Sequence, residues 1–473
     1  MPSQEICWMS ADDLATAIKT KKLSPVEIVK HLLERMADIN PKINAYVTIT
    51  EDSAIAEAKE AEDAVMQGRQ VGPLHGVPVA LKDTNFTKGV RTTMGSRLME
   101  DFVPEEDSVH VERLKKAGAI VLGKTNTPEF AAKAVTDNLV FGITRNPWNS
   151  ERTTGGSSGG SAATVAAGLA PLATGSDAGG SIRIPASCCG VFGIKPQFGR
   201  VPNYPLFHLW ESLLHDGPIT RTVKDAALML DVMAGQHWGD RHSLPPSGLS
   251  FVESLKGGVK GLRVAWSPDL NYATVSHQVL AICEAAIKQF TEMGAEVEEV
   301  QLDCRMAGMT YATILDTELA ARVALFGPLY EIKDRLDPLL VERVDAVKNL
   351  TANDYLKISF TRQELSARVG KLFQTYDLLL TPTLGIPAWP IGLPKVYVEE
   401  VDGKPVSTRG WTLTFPFNLT GQPAASIPAG WTDDNLPVGL QIAGRPYDEA
   451  IVFRAAAAFE AAKPWIHNRP LVV

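Results

Sequence analysis

The apolar run VPVAL, residues 77–81, ends at Lys82 and predicts a buried β-strand. An amphipathic helix is predicted over residues 107–117, and Gly118 is typical of the position that ends a helix. A second apolar run, residues 119–122, predicts another strand directly after that helix. A strand, a helix and a strand in this order form the β-α-β unit of a parallel sheet.

The same alternation recurs in the second half of the chain, with a strand predicted at residues 263–266 and a helix at 276–293. Further apolar and helical patterns predict strands at residues 297–302, 378–380, 424–427 and 438–442 and a closing helix at 448–462. This alternation is typical of a layered α/β fold with a largely parallel sheet. No linker or repeat divides the sequence, so we expect one domain over residues 1–473 with a helical excursion at about 305–370.

Composition excludes several classes of protein. The chain has 473 residues, 46 basic and 54 acidic side chains and a formal net charge of −8. This balance argues against a protein that coats nucleic acid or lies on an anionic membrane. The N-terminal residues carry no basic segment followed by an apolar one, and no run of about 18 apolar residues occurs. We therefore expect a cytoplasmic protein that binds neither nucleic acid nor membrane.

Cysteine usage and residue spacing indicate neither disulfide bonds nor a metal site. The chain contains five scattered cysteines: Cys7, Cys188, Cys189, Cys283 and Cys304. They are too few for a disulfide framework, so reduced thiols are expected. No Cys-x-x-Cys or His-Glu-x-x-His spacing occurs, and the sequence predicts no metal site.

Glycine and serine concentrate in residues 153–161 (TTGGSSGGS) and residues 175–181 (GSDAGGS). Within the first segment, residues 156–160 match the G-x-S-x-G pattern of a nucleophile elbow. An elbow needs a buried strand just before its serine, whereas residues 146–154 are polar and contain a proline. A nucleophile elbow is therefore disfavoured.

Another match is to a phosphate-binding loop, G-x-x-x-x-G-K-[ST], over residues 118–125. Such a loop needs a strand before it and a helix after it. Here the four variable positions are the predicted strand itself, and Pro128 follows closely. Nucleotide binding is therefore disfavoured, and we interpret Lys124 as a structural residue at a strand end.

A third interpretation uses both glycine-rich segments together. Ser157 lies in the first segment, Ser181 ends the second, and Lys82 follows the first predicted strand. This constellation resembles the amidase signature family, whose members hydrolyse amides with a Ser-Ser-Lys triad. The motifs that carry the resemblance are KD at residues 82–83, GKTN at 123–126, RNPW at 145–148, GIKP at 193–196, GP at 217–218, PFN at 416–418, GQP at 421–423 and PVGLQ at 437–441. The resemblance implies a cofactor-free hydrolase of a small-molecule amide, on a three-layer α/β/α fold with a large mixed, mostly parallel sheet.

By this resemblance Ser181 is the nucleophile, and Ser157 bridges it to Lys82, the general base. The resemblance also implies a cis peptide bond between Gly156 and Ser157. A base must be neutral, and burial can lower the pKa of a lysine by several units. From the residues alone, the alternative is a Lys82 that pairs with Asp83 at the strand end.

Three backbone N–H groups are expected to bind the substrate carbonyl oxygen as an oxyanion hole: those of Ala178, Gly179 and Gly180. Adjacent glycines permit the dihedral angles that a cluster of amide groups requires. By resemblance, Asp177 and Arg183 brace these loops, and Ser158 supports its neighbour Ser157.

The substrate pocket is expected to take its acyl side from residues 130–138, with Ala132 and Thr136 as contacts. Trp210 is the third expected contact and lies in an aromatic and apolar stretch, residues 204–214. These residues predict a cleft for a substrate with an apolar or aryl part. Ordinary core and loop packing is the alternative.

One class within the family is the glutamine-hydrolysing component of glutamyl-tRNA amidotransferase, which channels the ammonia it releases. That class carries a basic motif with Gly-Thr-Tyr in the region of residues 337–366, and this chain lacks it. The sequence therefore favours a stand-alone amidase that forms an acyl-enzyme. A non-catalytic scaffold is disfavoured because the whole set of Lys82, Ser157 and Ser181 is present. Dimers are common among relatives, and the sequence leaves a homodimer open.

Overall fold

The structure is a computed structural model that describes residues 3–205, 211–393 and 397–470. Within these ranges the chain forms a large β-sheet covered by helices. Trp210, one of the expected substrate contacts, lies outside the described residues.

The helices follow the capping and periodicity signals of the sequence. Ser24, for example, accepts hydrogen bonds from the N–H groups of Val26 and Glu27 and begins a helix with Pro25 at its first position. The helices are α1 (Ser3–Ile6), α2 (Ala11–Lys19), α3 (Pro25–Ile43), α4 (Glu51–Met66), α5 (Val109–Lys116), α6 (Gly159–Ala166), α7 (Arg183–Cys189), α8 (Val223–Met233), α9 (His277–Glu292), α10 (Ala307–Val323), α11 (Leu329–Ile332), α12 (Pro338–Ala346), α13 (Ala352–Leu372), α14 (Pro416–Thr420) and α15 (Glu449–Ala462). Short 3-10 turns occupy Glu129–Ala131, Glu253–Leu255, Ala324–Phe326 and Lys333–Arg335.

The strands build one large sheet and two small hairpins. They are β1 (Tyr46–Ile49), β2 (Pro78–Lys82), β3 (Ile120–Thr125), β4 (Arg145–Asn146), β5 (Asn149–Thr153), β6 (Leu172–Asp177), β7 (Phe192–Lys195), β8 (His215–Thr220), β9 (Arg263–Trp266), β10 (Glu296–Glu299), β11 (Leu378–Pro382), β12 (Glu400–Val401), β13 (Lys404–Pro405), β14 (Ala424–Trp431) and β15 (Pro437–Gly444). In the described part of the chain, eleven of them form the main sheet, in the order β1-β3-β2-β6-β8-β7-β14-β15-β11-β9-β10.

The main sheet is mixed, as predicted. Parallel pairing occupies two wings, β3-β2-β6 and β11-β9-β10, which contain the β-α-β units that the sequence predicts. The centre of the sheet, from β6 to β11, pairs antiparallel throughout, and β1 also pairs antiparallel at one edge. In this centre, β14 and β15 are joined by a short turn, which only an antiparallel pair allows. The parallel part of the prediction therefore describes the wings and not the centre.

Both faces of the sheet are covered. Every residue of β2, β3, β6 and β8 is buried. Successive side chains of a strand point to opposite faces, so complete burial means that helices cover the sheet on both sides. The predicted three-layer α/β/α architecture is confirmed.

Local predictions and structure agree best where the pattern is apolar. The run at residues 77–81 forms β2, residues 107–117 form α5, and residues 119–122 form the first part of β3. Strands β6 (LATGSD) and β8 (HDGPIT) are not among the strands predicted from the sequence. Their buried polar residues hide the apolar signal on which strand prediction relies.

The expected helical excursion is present as α10 to α13. Its buried apolar side chains form a cluster with Phe130, Phe415 and Phe417 that is distinct from the main core. These helices therefore pack beside the sheet and supply one wall of the cleft described below. None of the helices in the described ranges is long and apolar enough to cross a membrane.

Candidate active site

Three chain segments meet at the C-terminal ends of strands β2 and β6 in the main sheet. Strands β2 and β6 are parallel neighbours, so Lys82 at the end of β2 lies beside the end of β6. Ser157 lies just before α6, and Ser181 follows β6 by a short loop. The N–H of Ser158 donates to the carbonyl oxygen of Ser181 at 3.1 Å, which joins the two loops. In parallel α/β sheets these strand ends are where ligands bind.

The amine of Lys82 is fully buried and held by two hydroxyl groups. Its Nζ donates to Ser157 Oγ at 2.6 Å and to Ser176 Oγ at 2.8 Å. The carboxylate of Asp83 accepts instead from the N–H and hydroxyl of Thr93. The alternative pairing of Lys82 with Asp83 is therefore not what the structure contains.

Burial controls the charge of this amine. It lowers the pKa of Lys82 to about 7, while the carboxyl groups of Asp216 and Asp177 act in the opposite direction. A neutral lysine has a lone pair and can accept a proton. At neutral pH a substantial part of Lys82 is therefore in the form that a general base requires.

The segment around Ser157 is shaped by its neighbours. The Gly156–Ser157 peptide bond is cis. The hydroxyl of Thr136 donates to the carbonyl oxygen of Gly155 at 2.9 Å and accepts from the N–H of Gly159 at 3.1 Å. Thr136 therefore holds the glycine-serine loop from outside.

Ser158 connects the same loop to the end of β6. Its hydroxyl accepts from the N–H of Ser176 at 3.2 Å and donates to the carbonyl oxygen of Ser176 at 3.3 Å. Ser176 in turn contacts Lys82. The supporting position expected for Ser158 therefore agrees with its contacts.

Asp177 and Arg183 form a fully buried ion pair. Arg183 donates from Nε and Nη2 to the Asp177 carboxylate, at 3.0 Å in each case. It also donates to Gln441 Oε1 at 2.6 Å and to the carbonyl oxygen of Thr414 at 2.8 Å. Burial would raise the pKa of Asp177, but the Arg183 guanidinium outweighs burial and holds that pKa well below its usual range. The pair therefore ties the loop after β6 to the C-terminal part of the chain.

The expected oxyanion hole needs one correction. The N–H of Gly180 donates to Asp177 Oδ1 at 2.6 Å, so this group is already used and is not a donor for substrate. The N–H groups of Ala178, Gly179 and Ser181 have no acceptor among the described residues. These three are the donors that remain for a carbonyl oxygen.

Glycine is required at two positions in this stretch. A Cβ on Gly179 would lie 2.0 Å from the Tyr311 hydroxyl oxygen. Gly180 has φ of +130°, and a Cβ there would lie 2.2 Å from Thr414 Oγ1. Any side chain at either position would displace the wall of the cleft and the loop that carries Ser181.

Ser181 opens into a cleft of about 230 Å³. Apolar and aromatic side chains make much of its wall: Ala132, Ile184, Tyr311, Leu315, Leu339, Tyr397, Trp411 and Phe415. The rings of Tyr311 and Phe415 stack with centroids 5.3 Å apart. The cleft also contains charged groups. Arg343 pairs with Asp316, and Lys133 pairs with Asp137 and Asp337.

The three predicted substrate contacts have different outcomes. Ala132 lines the cleft. Thr136 is not among the residues that line it, and its hydroxyl bonds to the glycine-serine loop instead. Trp210 is outside the described ranges, so its expected contact stays a prediction.

Sequence reasoning missed Ser176, which contacts the Lys82 amine, and Thr174, whose hydroxyl accepts from the Lys82 N–H at 2.9 Å. The two residues are separated by one position in β6 and therefore share a face of the sheet. A prediction of β6 as a strand would have placed both on one common face of the sheet. Tyr311 and Phe415 were also missed because they come from helical and loop segments far away in sequence.

The phosphate-loop match at residues 118–125 has a structural explanation. Lys124 is fully buried in β3, and its amine donates to the carbonyl oxygen of Asn85 and to Thr87 Oγ1. These bonds hold the chain that follows β2. Lys124 is therefore a structural residue, as predicted.

Comparison with known proteins identifies the class. A family model described as Amidase matches residues 27–453. The chain therefore belongs to the amidase signature family, and it is an amide hydrolase.

Individual relatives are similar over their whole length. An acylamidase from Rhodococcus erythropolis is 39% identical over 478 residues, which cover 99% of this chain and 98% of the relative. The crystal structure of a bacterial aryl acylamidase of the amidase signature family superposes with a TM-score of 0.92 at 32% identity, covering 98% of this chain and 99% of that one. The A component of the glutamyl-tRNA(Gln) amidotransferase from Geobacillus thermodenitrificans is 37% identical over 486 residues, covering 98% of this chain and 99% of the relative.

Proposed function

We propose that this protein is a stand-alone amidase that cleaves the C–N bond of a carboxylic amide through an acyl-enzyme on Ser181. One observation carries the proposal. A buried lysine amine with a lowered pKa lies 2.6 Å from the Ser157 hydroxyl, in a loop bonded directly to Ser181 at the cleft. An unactivated serine is a weak nucleophile, and a neighbouring base is what activates it.

In this mechanism the Ser181 oxygen attacks the amide carbonyl carbon and forms a C–O bond. Its proton passes to Ser157, whose own proton passes to the neutral amine of Lys82. The tetrahedral oxyanion accepts hydrogen bonds from the N–H groups remaining at residues 178, 179 and 181, a type of interaction in which each donor typically contributes about 2.7–4 kcal/mol. The C–N bond then breaks as the proton returns through Ser157 to the departing nitrogen. Water hydrolyses the ester by the same route in reverse.

The cleft supports a substrate with an apolar or aryl part. Tyr311, Phe415 and Trp411 present ring surfaces beside Ser181, and aromatic surfaces favour offset or edge contacts with another ring. The cleft volume of about 230 Å³ is suited to a small apolar or aryl group of the substrate. The relatives named as acylamidase and aryl acylamidase support the same class of substrate.

The second candidate is the glutamine-hydrolysing component of an amidotransferase. The amidotransferase component from Geobacillus thermodenitrificans, which is 37% identical to this chain, supports this candidate. Against it stands the sequence of residues 337–366, which lacks the basic Gly-Thr-Tyr motif of that class. In this structure the region forms α12 and most of α13, and its Leu339 and Arg343 line the cleft.

An amide panel separates the two candidates. The purified chain is incubated with glutamine, short aliphatic amides, aryl-acetamides, anilides and a linear oligoamide, and the release of amine or ammonia is measured. Ser181→Ala serves as the blank. We expect Ser181-dependent turnover of the anilides and aryl-acetamides by the chain alone. Turnover of glutamine only, or none until a partner protein is added, would support the amidotransferase component instead.

The rate should depend on pH through Lys82. Because the base is neutral above its pKa of about 7, kcat/KM is expected to rise about tenfold per pH unit below that value and to level off above it. The measurement is kcat/KM for one anilide between about pH 5 and pH 9. Samples held at low pH and returned to neutral pH control for denaturation. A rate that stays constant or falls across this rise would contradict a lysine base.

A further inference from the structure

Besides Asp177, one more buried carboxyl group lies near the Lys82 amine, that of Asp216. Asp216 in β8 lies directly opposite Ser176 in the antiparallel ladder with β6. Residues paired in this way project to the same face of a sheet, with Cβ atoms about 4.5–5.5 Å apart. Since Ser176 Oγ accepts from Lys82 Nζ at 2.8 Å, the Asp216 side chain lies on the face of the sheet that carries the amine. Asp216 is 1% exposed.

Helix α5 contributes one buried residue, His110, to the surroundings of Asp216. The His110 ring lies with Nδ1 3.9 Å from Asp216 Oδ2, and His110 is as deeply buried as Asp216. Asp216 therefore has Lys82 and Ser176 as neighbours on the sheet and His110 as a neighbour on α5. The charged groups that act on Lys82 are Asp216 from β8 and Asp177 from the end of β6.

Asp177 is already committed to another partner. Its carboxylate accepts two hydrogen bonds from Arg183 and one from the Asn418 amide. Asp216 has no arginine or lysine within ion-pair distance among the described residues. Of the two carboxyl groups, Asp216 is therefore the one whose charge is available to complement Lys82.

We propose that Asp216 is a positioning residue that stabilises the ammonium form of Lys82 created when Ser181 loses its proton. The inference rests on the proposed function, in which that proton passes through Ser157 to Lys82 and later returns to the departing nitrogen. A buried ammonium without a counter-charge costs several kcal/mol. A fixed carboxylate reduces this cost at the moment when the charge develops.

The titration of Asp216 is consistent with this role. Burial raises the pKa of Asp216 to about 7, and Lys82 opposes the rise. The pKa of Lys82 is lowered to a similar value. The carboxylate is therefore present in the pH range where the Lys82 amine is neutral and ready to accept a proton.

The test is the pH profile of Asp216→Asn. Without the negative charge the ammonium is less stable, so the acid limb of kcat/KM should move about one unit to lower pH. The plateau should fall about tenfold for the same reason. Asp225→Asn is the matched control: it removes another fully buried carboxylate, one that accepts from the Asp12 N–H away from the cleft. Its acid limb should coincide with that of the unmodified enzyme.

An unchanged limb and plateau in folded Asp216→Asn would overturn the proposal. If that variant does not fold, Asp216→Thr removes the charge with a residue that suits a strand, and the same shift is expected. A merely structural Asp216 would lower activity without moving the midpoint of the limb, which would also overturn it. Failure of the proposed function looks different, because the unmodified enzyme would then turn over substrate without any acyl group on Ser181.

Discussion

Ser181→Ala is expected to reduce amide turnover by about 10⁵-fold or more while the protein remains folded. Loss of the nucleophile in a serine hydrolase leaves only substrate binding and oxyanion stabilisation. The Ser181 side chain makes no hydrogen bond to another described group, so its loss leaves no buried partner unsatisfied. The measurements are initial rates with an anilide and the thermal unfolding midpoint.

Thr408→Ala is the matched control for this prediction. It removes a hydroxyl from the exposed rim of the same cleft. Its rate should stay close to that of the unmodified enzyme, because the proposed mechanism uses no group of Thr408. Near-normal turnover by Ser181→Ala would mean that another residue is the nucleophile.

Lys82→Ala is expected to reduce turnover by about 10⁴-fold or more, because Lys82 is the titratable group that contacts the Ser157 hydroxyl among the described residues. This substitution also leaves the Ser157 and Ser176 hydroxyls without their amine partner. Some loss of stability is therefore expected, of about 1–3 kcal/mol for each unsatisfied buried group. Rates are compared only after the folded fraction of each variant has been measured.

Lys82→Arg separates the base from the hydrogen bonds. Arginine can donate to both hydroxyls, but it is not deprotonated in proteins. If Lys82 is the base, the arginine variant should be about as inactive as the alanine variant. The double variant Ser181→Ala with Lys82→Ala should then be no slower than Ser181→Ala alone, since residues that act as a unit are not additive. An active arginine variant would mean that Lys82 is not the base and has only a structural role.

Much of this architecture could be predicted from apolar patterns. The runs that form β2, β3 and β9 are apolar and short, and α9 and α15 carry clear helical signals. Two strands at the centre of the sheet, β6 and β8, escaped this approach because they contain Thr174, Ser176, Asp177, His215 and Asp216, all of them buried. Thr174 and Ser176 contact Lys82, and Asp177 pairs with Arg183. Lys82 comes from a distant part of the chain, so local sequence does not record its contacts.

In the candidate site, too, some residues could be located from the sequence and some contacts could not. The resemblance located Lys82, Ser157 and Ser181 because their glycine-rich surroundings are distinctive in sequence. It assigned Gly180 as an oxyanion donor, whereas the Asp177 carboxylate takes that N–H. It also assigned Thr136 to the substrate, although its hydroxyl binds the glycine-serine loop. Both errors concern the direction of a polar group, which depends on partners brought together only by the fold.

The acyl-enzyme on Ser181 is tested most directly by trapping it. The enzyme is mixed with an aryl ester of a small apolar acid, quenched in acid during turnover, digested with trypsin and examined by mass spectrometry. Residues 153–183 fall in one tryptic peptide, so fragment ions must distinguish Ser157, Ser158 and Ser181. We predict that the acyl group is on Ser181 and is absent from Ser181→Ala treated in the same way. An acyl group on another residue, or continued turnover with Ser181 unmodified at every quench time, would contradict the proposed mechanism.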